Sequence, residues 1–260
     1  MNVIEVRHLY KSFPFGFWGR KRLILKDVSF QIRAGRTTGF IGVNGSGKTT
    51  TMKCLFHFIH PDQGDVLFWG QPISKTSLEK IGYFPERPYL YEFMTGESFL
   101  KLHWQLQGSH GDFEKQCTDL LQKVDLLSAR KQKIRSYSKG MMQRIGLAQA
   151  LLGNPELLLL DEPMSGLDPD GRWLVKQILH EQKQKGTTIF FSSHLLQDME
   201  ELCDDLVMMD QGEIIYQGES KVFLSNSSDS LEKSFQDFRN SFRQSKLNSQ
   251  MQQDGTKVVP

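Results

Sequence analysis

The chain has 260 residues, 38% of them apolar and 24% charged, with 32 Lys and Arg set against 30 Asp and Glu. That length builds one large α/β domain, or one domain with a small subdomain and a tail, and the composition is that of an ordinary globular protein. A net charge of +2 supplies no global field for a nucleic-acid partner, so none is expected.

The three cysteines, Cys54, Cys117 and Cys203, stand far apart and in no CxxC spacing. This argues for buried free thiols in a reducing compartment and against a disulfide framework or a zinc site. No apolar run approaches the roughly 20 residues needed to cross a bilayer, so no transmembrane segment is expected. MNVIEVRHLY carries Glu5 and Arg7 where a signal peptide has its apolar core. The expectation is a cytoplasmic protein that meets a membrane only at its surface or through a partner.

In chain order, the first elements read as strands. IEVRHLYKSF and LKDVSFQI are rich in β-branched and aromatic residues, which suit a pleated surface. Between them, Pro14 to Arg22 reads as an aromatic loop closed by three bases. TTGFIG is a short buried strand ending in glycine, TTMKCLFHFI continues as a helix, and GDVLFWG is another strand. From about Thr95 to Tyr137 the period turns helical. Phe113, Cys117, Leu120, Leu121, Val124 and Leu127 recur on one helix face, which predicts a helical subdomain within about residues 90–150.

KGMMQRIGLAQALL is a second helix, stopped by Gly153 and Pro155. ELLLLD is a fully apolar strand, suited to the centre of a parallel sheet covered on both faces. Asp168 and Pro169 predict the N-cap and first turn of a helix that Gly186 closes. TTIFFSS is a strand, and LVMMDQGEIIYQG is a hairpin through Asp210-Gln211-Gly212. Beyond about Leu224, SNSSDS reads as a linker. Leu231, Phe235, Phe238 and Phe242 then mark a short amphipathic helix, and disorder is expected from Ser245 onward.

Gly42-x-x-x-x-Gly47-Lys48-Thr49 matches the phosphate-loop pattern in full, with a strand before it and a helix after. The glycines let backbone N–H groups close around a β-phosphate, and the helix starting near Gly47 aims its positive end at the same oxygens. Lys48 is expected to reach the β- and γ-phosphates, and the Thr49 hydroxyl to bind Mg²⁺. Asp161 ends the strand LLLL, where open α/β sheets place their ligand crevice. A carboxylate there holds Mg²⁺, and Glu162 beside it serves to orient or deprotonate an attacking water. His194 ends TTIFFSS, and a neighbouring strand end brings it to the same crevice, to stabilise charge on a γ-phosphate.

Tyr137-Ser138-Lys139-Gly140-Met141-Met142-Gln143-Arg144 resembles the signature motif of ABC ATPases. With it, the chain to about residue 224 is similar to an ABC transporter ATP-binding subunit. The resemblance implies an α/β P-loop fold: a mostly parallel sheet core, an antiparallel β subdomain and a helical signature subdomain. It implies that residues 1–224 form the ATP-binding domain and 225–260 a polar tail.

By the same resemblance, Phe13 would stack on adenine. Gly42, Asn44, Gly45, Ser46, Gly47, Lys48, Thr49 and Thr50 would cradle the phosphates. Glu86 would take the Q-loop position, serving metal and attacking water beside Thr49 and Asp161. Ser165 to Asp168 would form the D-loop, and His194 would be the switch histidine. Ser138, Gly140 and Asp168 would complete the nucleotide site of a second ATP-binding subunit in an ATP-dependent dimer.

Three departures stand out. The signature carries Lys139 and Met141 where the common form has Gly and Gln. Lys139 adds positive charge toward the γ-phosphate or points to solvent. The Q-loop position holds Glu86, which accepts but cannot donate when ionised. The Pro14 to Arg22 loop is longer than usual; its aromatics and bases suit a membrane interface or a partner helix, or pack on the domain as a solvated hairpin.

YSKGMMQR and GYFPE resemble the exporter-type branch, whose polytopic membrane permease subunits move drugs, lipids, polysaccharides or haem-related cargo. An importer ATPase remains open, as does an ATPase that remodels a membrane complex without moving cargo. A kinase or small GTPase has no use for the signature helix. Residues 51–137 leave no room for the coiled coil of chromosome ATPases, and the length holds one such domain where translation-related relatives carry two.

Overall fold

The computed structural model describes residues 1–16, 20–108, 111–194, 196–225 and 231–255, with side chains described as far as Lys246. Strands β1 (Asn2–Phe15) and β2 (Arg20–Arg33) form a long antiparallel hairpin. After β3 (Thr37–Ile41) and helix α1 (Lys48–Leu55), strands β4 (Gln63–Phe68) and β5 (Gln71–Pro72) join that hairpin, in the order β2-β1-β4-β5.

The chain continues through α2 (Lys75–Leu78), β6 (Ile81–Phe84), α3 (Gly96–Leu106), α4 (Phe113–Lys123) and α5 (Lys139–Ala150). It then runs through β7 (Leu157–Leu160), α6 (Pro169–Gln184), β8 (Thr188–Ser193), α7 (Leu196–Leu202), β9 (Asp205–Asp210), β10 (Glu213–Glu219), α8 (Ser220–Ser225) and α9 (Leu231–Gly255). The second sheet has six strands in the order β10-β9-β3-β8-β7-β6, parallel except for β10. The α/β class with its antiparallel and helical parts is therefore as the sequence implies.

Strand β7 is buried along its whole length. Leu158 and Leu160 point into one core, shared with the helical segment, while Leu157 and Leu159 point into a second core against the antiparallel sheet. A strand covered on both faces needs apolar side chains at both parities, and LLLL supplies them. Among the described residues no helix is long and apolar enough to cross a membrane.

Three local readings change, and the segment Pro14 to Arg22 takes the hairpin form that the sequence leaves open: Phe13 pairs with Arg22, Pro14 with Lys21 and Phe15 with Arg20. Pro14 lies beyond Tyr10, the last residue of β1 that pairs with β4, so one side of the strand is an open edge there, where proline is tolerated. The aromatic tip, Phe17 and Trp18, lies outside the described residues.

Helix α1 stops at Leu55 rather than running on to Ile59. Phe56 turns to pack on Tyr83, with ring centroids 4.5 Å apart, and His57 takes a left-handed φ of 54°. Leu127 leaves the buried face and is 37% exposed, because the helix ends at Val124 and Leu126 takes the core position.

The tail helix docks as its apolar spacing implies: Leu231 and Phe235 are buried, and Phe238 and Phe242 pack against the same core. It continues to Gly255, where the sequence reading places disorder from Ser245. No Gly or Pro interrupts it before Gly255, and ion pairs from Arg243 to Asp210 and from Lys246 to Glu213 hold its middle turns. Residues 226–230 and 256–260, where the linker and the chain end fall, lie outside the described residues.

Candidate functional site

Four neighbouring parallel strands, β6, β7, β8 and β3, end on one edge of the sheet, and the segments that follow them enclose a cleft of about 720 Å³. Such edges collect ligands because loops converge there above a rigid sheet. Asn44, Gly45, Gly47, Lys48, Thr49 and Thr50 line one wall. Gly47 caps α1 at φ 116°, a backbone conformation an L side chain rarely adopts. A Cβ on Gly42 would lie 2.5 Å from Ser46 Oγ and 2.6 Å from the Met209 carbonyl oxygen, so only glycine fits. Gly42 and Ser46 thus sit behind the loop rather than on the cleft wall. The Ser46 hydroxyl is buried and, among the described residues, has no hydrogen-bond partner.

Lys48 is buried, and its Nζ donates to the Gly42 carbonyl at 2.6 Å. Burial pulls its ammonium below the usual lysine range, opposed by the charges of Glu162, Asp161 and Glu86. Among the described residues it has no ion-pair partner, so the one strong cation of the loop is held ready for an anion. Loop amides, a helix N-terminus and this lysine together fit a polyphosphate.

The acids come from the end of β7. Asp161 is buried, and its N–H donates to the Phe84 carbonyl at 2.8 Å. Burial pushes its carboxyl up from the ordinary value; hydrogen bonds from Ser192 and Thr49 act the other way. Ser192 on β8 holds both acids. Its hydroxyl donates to Asp161 Oδ1 at 2.6 Å and accepts from the Glu162 N–H at 2.9 Å. Glu162 has a left-handed φ of 52°, which turns its side chain from the strand direction toward the cleft. There Glu162 Oε2 lies 2.7 Å from His194 Nδ1. Glu162 is mostly buried and His194 half exposed.

Thr49 and Glu86 line both this cleft and an adjoining groove that reaches Asp161. The two acids and Thr49 are hard oxygen donors suited to Mg²⁺ beside phosphate oxygens. Glu86 is exposed, and its carbonyl accepts from Gln143 Nε2 at 3.4 Å. Phe13 forms the far wall of the cleft together with Arg22, its cross-strand partner, and Ile24. The Lys11 ammonium lies 5.5 Å from the Phe13 ring centre. Ile24, Val43 and the bracing Ser192 are not singled out from sequence, and Arg22 is singled out only as a base of the Pro14 to Arg22 loop. Only the strand register and the sheet order reveal them.

Ser138, Gly140 and Asp168 do not line the cleft. Ser138 caps α5 by accepting from the Met141 N–H at 3.2 Å, and Asp168 caps α6 by accepting from the Gly171 N–H at 2.8 Å. The two helix starts adjoin: a Cβ on Gly166 would lie 2.7 Å from Lys139 Nζ. Lys139 therefore lies against the turn that precedes α6. These residues form a second polar patch, apart from the phosphate loop.

Residues 25–165 match the family model described as ABC transporter. The chain is 42% identical over 222 residues to an uncharacterized ABC transporter ATP-binding protein of Nostoc sp., covering 84% of this chain and 66% of that protein. It is 36% identical over 217 residues to the lantibiotic transport ATP-binding protein SrtF of Streptococcus pyogenes, covering 84% of this chain and 91% of that one. Among solved structures, an ATP-binding subunit of an ABC transporter superposes with a TM-score of 0.81 at 30% identity, covering 91% of this chain and 99% of that one. With the fold, the phosphate loop and the family model in agreement, the chain belongs to the ABC transporter family as an ATP-binding domain.

Proposed function

We propose that the cleft binds ATP with Mg²⁺ and hydrolyses it, and that a dimer of such subunits drives a separate polytopic permease. The observation that carries this reading is the joint bracing of Asp161 and Glu162 by Ser192, in one cleft with a lysine that has no ion-pair partner among the described residues. Phe13 stacks on the base, and the amides of residues 44–49 and Lys48 hold the phosphates. Thr49 and Asp161, with Glu86 nearby, hold the ion. Bound there, Mg²⁺ would offset the negative charge of the phosphates.

Glu162 accepts the proton of a water lying in line with the γ-phosphate. His194 fixes the Glu162 carboxylate through Nδ1 and turns the other edge of its ring toward the transferred group. Ser138, Gly140 and Asp168, set apart from this cleft, serve the facing subunit. Cycles of ATP-dependent closure and reopening then do work on the permease, because ATP binds the closed state better. Export of a drug, lipid, polysaccharide or similar cargo is the preferred direction, on the resemblance of YSKGMMQR and GYFPE to the exporter-type branch; the name of the lantibiotic relative supports transport.

The test is capture of tagged Glu162→Gln protein, with ATP and Mg²⁺, from detergent-solubilised membranes of its own cell. A polytopic protein recovered at near one-to-one stoichiometry supports the transporter reading. Recovery of soluble or single-span proteins alone would replace it with a remodelling ATPase.

A further inference from the structure

Among its contacts with the domain, helix α9 meets α7 and the turn between β9 and β10. Its first turn braces α7, the helix that follows His194. The Leu231 N–H donates to Glu200 Oε1 at 2.6 Å, and Leu231 and Phe235 are buried beside it. Three turns later Arg243 reaches the turn between β9 and β10. Its Nε and Nη2 donate to Asp210 Oδ2 and Oδ1 at 2.7 and 2.8 Å. Asp210 is only 3% exposed, and the pair raises the Arg243 guanidinium above its usual value. Two parallel bonds fix direction as well as distance. Lys246 pairs with Glu213, which stands opposite Asp210 in the same hairpin.

That turn is also the rear wall of the phosphate loop. The Gly212 N–H donates to the Ser46 carbonyl at 2.8 Å, and the Gly212 carbonyl accepts from the Lys26 N–H at 2.8 Å. Met209 lies under both ends of the loop: a Cβ on Gly42 would meet its carbonyl at 2.6 Å, and a Cβ on Gly47 its methyl at 2.9 Å. The packing leaves no slack, so a shift of the turn moves the loop. No described residue of α9 lines the cleft, and the route from Arg243 to the nucleotide runs through this turn.

We propose that Arg243 is a positioning residue for the phosphate loop: by clamping Asp210 it holds the turn against Ser46 and thereby sets ATP affinity. This rests on the nucleotide reading of the cleft. Removing Arg243 takes the ion-pair partner from the buried Asp210 carboxylate, and the structure relaxes to expose that charge. Here relaxation draws Asp210 outward and takes Gly212 away from Ser46.

The test measures ATP binding by calorimetry and steady-state hydrolysis on the full chain, with Lys48→Ala as the control. Arg243→Ala is expected to weaken ATP binding by about tenfold, raising KM while kcat falls little. Arg243→Lys, which keeps the charge and loses the fork, recovers part of the affinity. Adding Asp210→Asn to Arg243→Ala recovers most of it, since no buried charge is then left unpaired. Should Arg243→Ala fail to fold, Asp210→Asn alone weakens the same clamp and is read the same way, with a loss of about threefold expected. A lowered Tm with unchanged ATP affinity in the folded protein would overturn the proposal and leave Arg243 a purely structural residue. If the wild type binds ATP no better than Lys48→Ala, the nucleotide reading itself fails, and the proposal falls with it.

Discussion

Glu162 Oε2 lies 2.7 Å from His194 Nδ1, and the two residues come from the ends of adjacent parallel strands. The glutamate is held from behind by its N–H bond to Ser192 and from in front by the imidazole. Glu162→Gln keeps the shape and loses the base. It is expected to bind ATP normally and to lose about 10²–10⁴ in turnover. Phosphate release measured at saturating ATP checks this; turnover near the wild-type rate would remove Glu162 from the role of base.

Phe13→Ala removes an aromatic wall of the cleft without touching the acids. Nucleotide affinity is expected to fall by about three- to tenfold, the worth of one aromatic contact, with little change in kcat. Equilibrium binding of ATP decides the point, and an unaltered Kd would take Phe13 out of the base site.

Gly140→Asp should leave ATP binding to the single subunit intact, because Gly140 is outside the cleft, yet abolish dimer formation. Light scattering of the Glu162→Gln background with ATP and Mg²⁺ reads this directly. A dimer that persists would mean the patch around Ser138 and Asp168 does not face a second nucleotide.

Asp161→Asn is expected to stabilise the domain while ending hydrolysis. The folded state raises the Asp161 carboxyl above its ordinary value, chiefly through burial. The native state thus binds that proton more tightly than the unfolded chain, and the ionised form costs stability at neutral pH. This cost fades as pH falls through the raised value. At pH 8 the variant should melt above wild type, with the gap closing on acidification. Melting curves at two pH values settle it; a lower Tm at pH 8 would mean the ionised form is stabilised by its neighbours on balance.

All three thiols should resist alkylation in the native protein. Burial pushes Cys54 and Cys117 up to about 11 and Cys203 well above the ordinary thiol value. Titration with a thiol reagent at pH 8 should find none reactive before denaturation and three afterwards.

Much of this site is readable in the chain because phosphate chemistry demands particular residue types at consecutive positions. Gly42 to Thr50, and Asp161 with Glu162, are such runs. The periodic faces were legible for the same local reason: Phe113, Cys117, Leu120 and Leu121 are all buried. What escaped depends on pairing between distant segments. Arg22 reaches the cleft only because it pairs across from Phe13, in a hairpin whose register slips at four places. Ser192 braces both acids only because β8 lies between β7 and β3. The length of α9 was misread because its composition is polar, and its partners Asp210 and Glu213 lie over thirty residues away in the chain.

The alternation of β7 makes the catalytic edge a matter of reading frame. Leu157 and Leu159 serve one core and Leu158 and Leu160 the other, so parity along the strand and the aim of Asp161 are one property. A single residue inserted among the four leucines would still leave an apolar strand, and both cores would remain filled. It would turn the Asp161 carboxylate to the other side of the sheet. Stability and catalysis thus fail independently here: insertions in this strand can leave soluble, cooperatively folded proteins that have lost the reaction, whereas changes in side-chain size would tend to fail the other way.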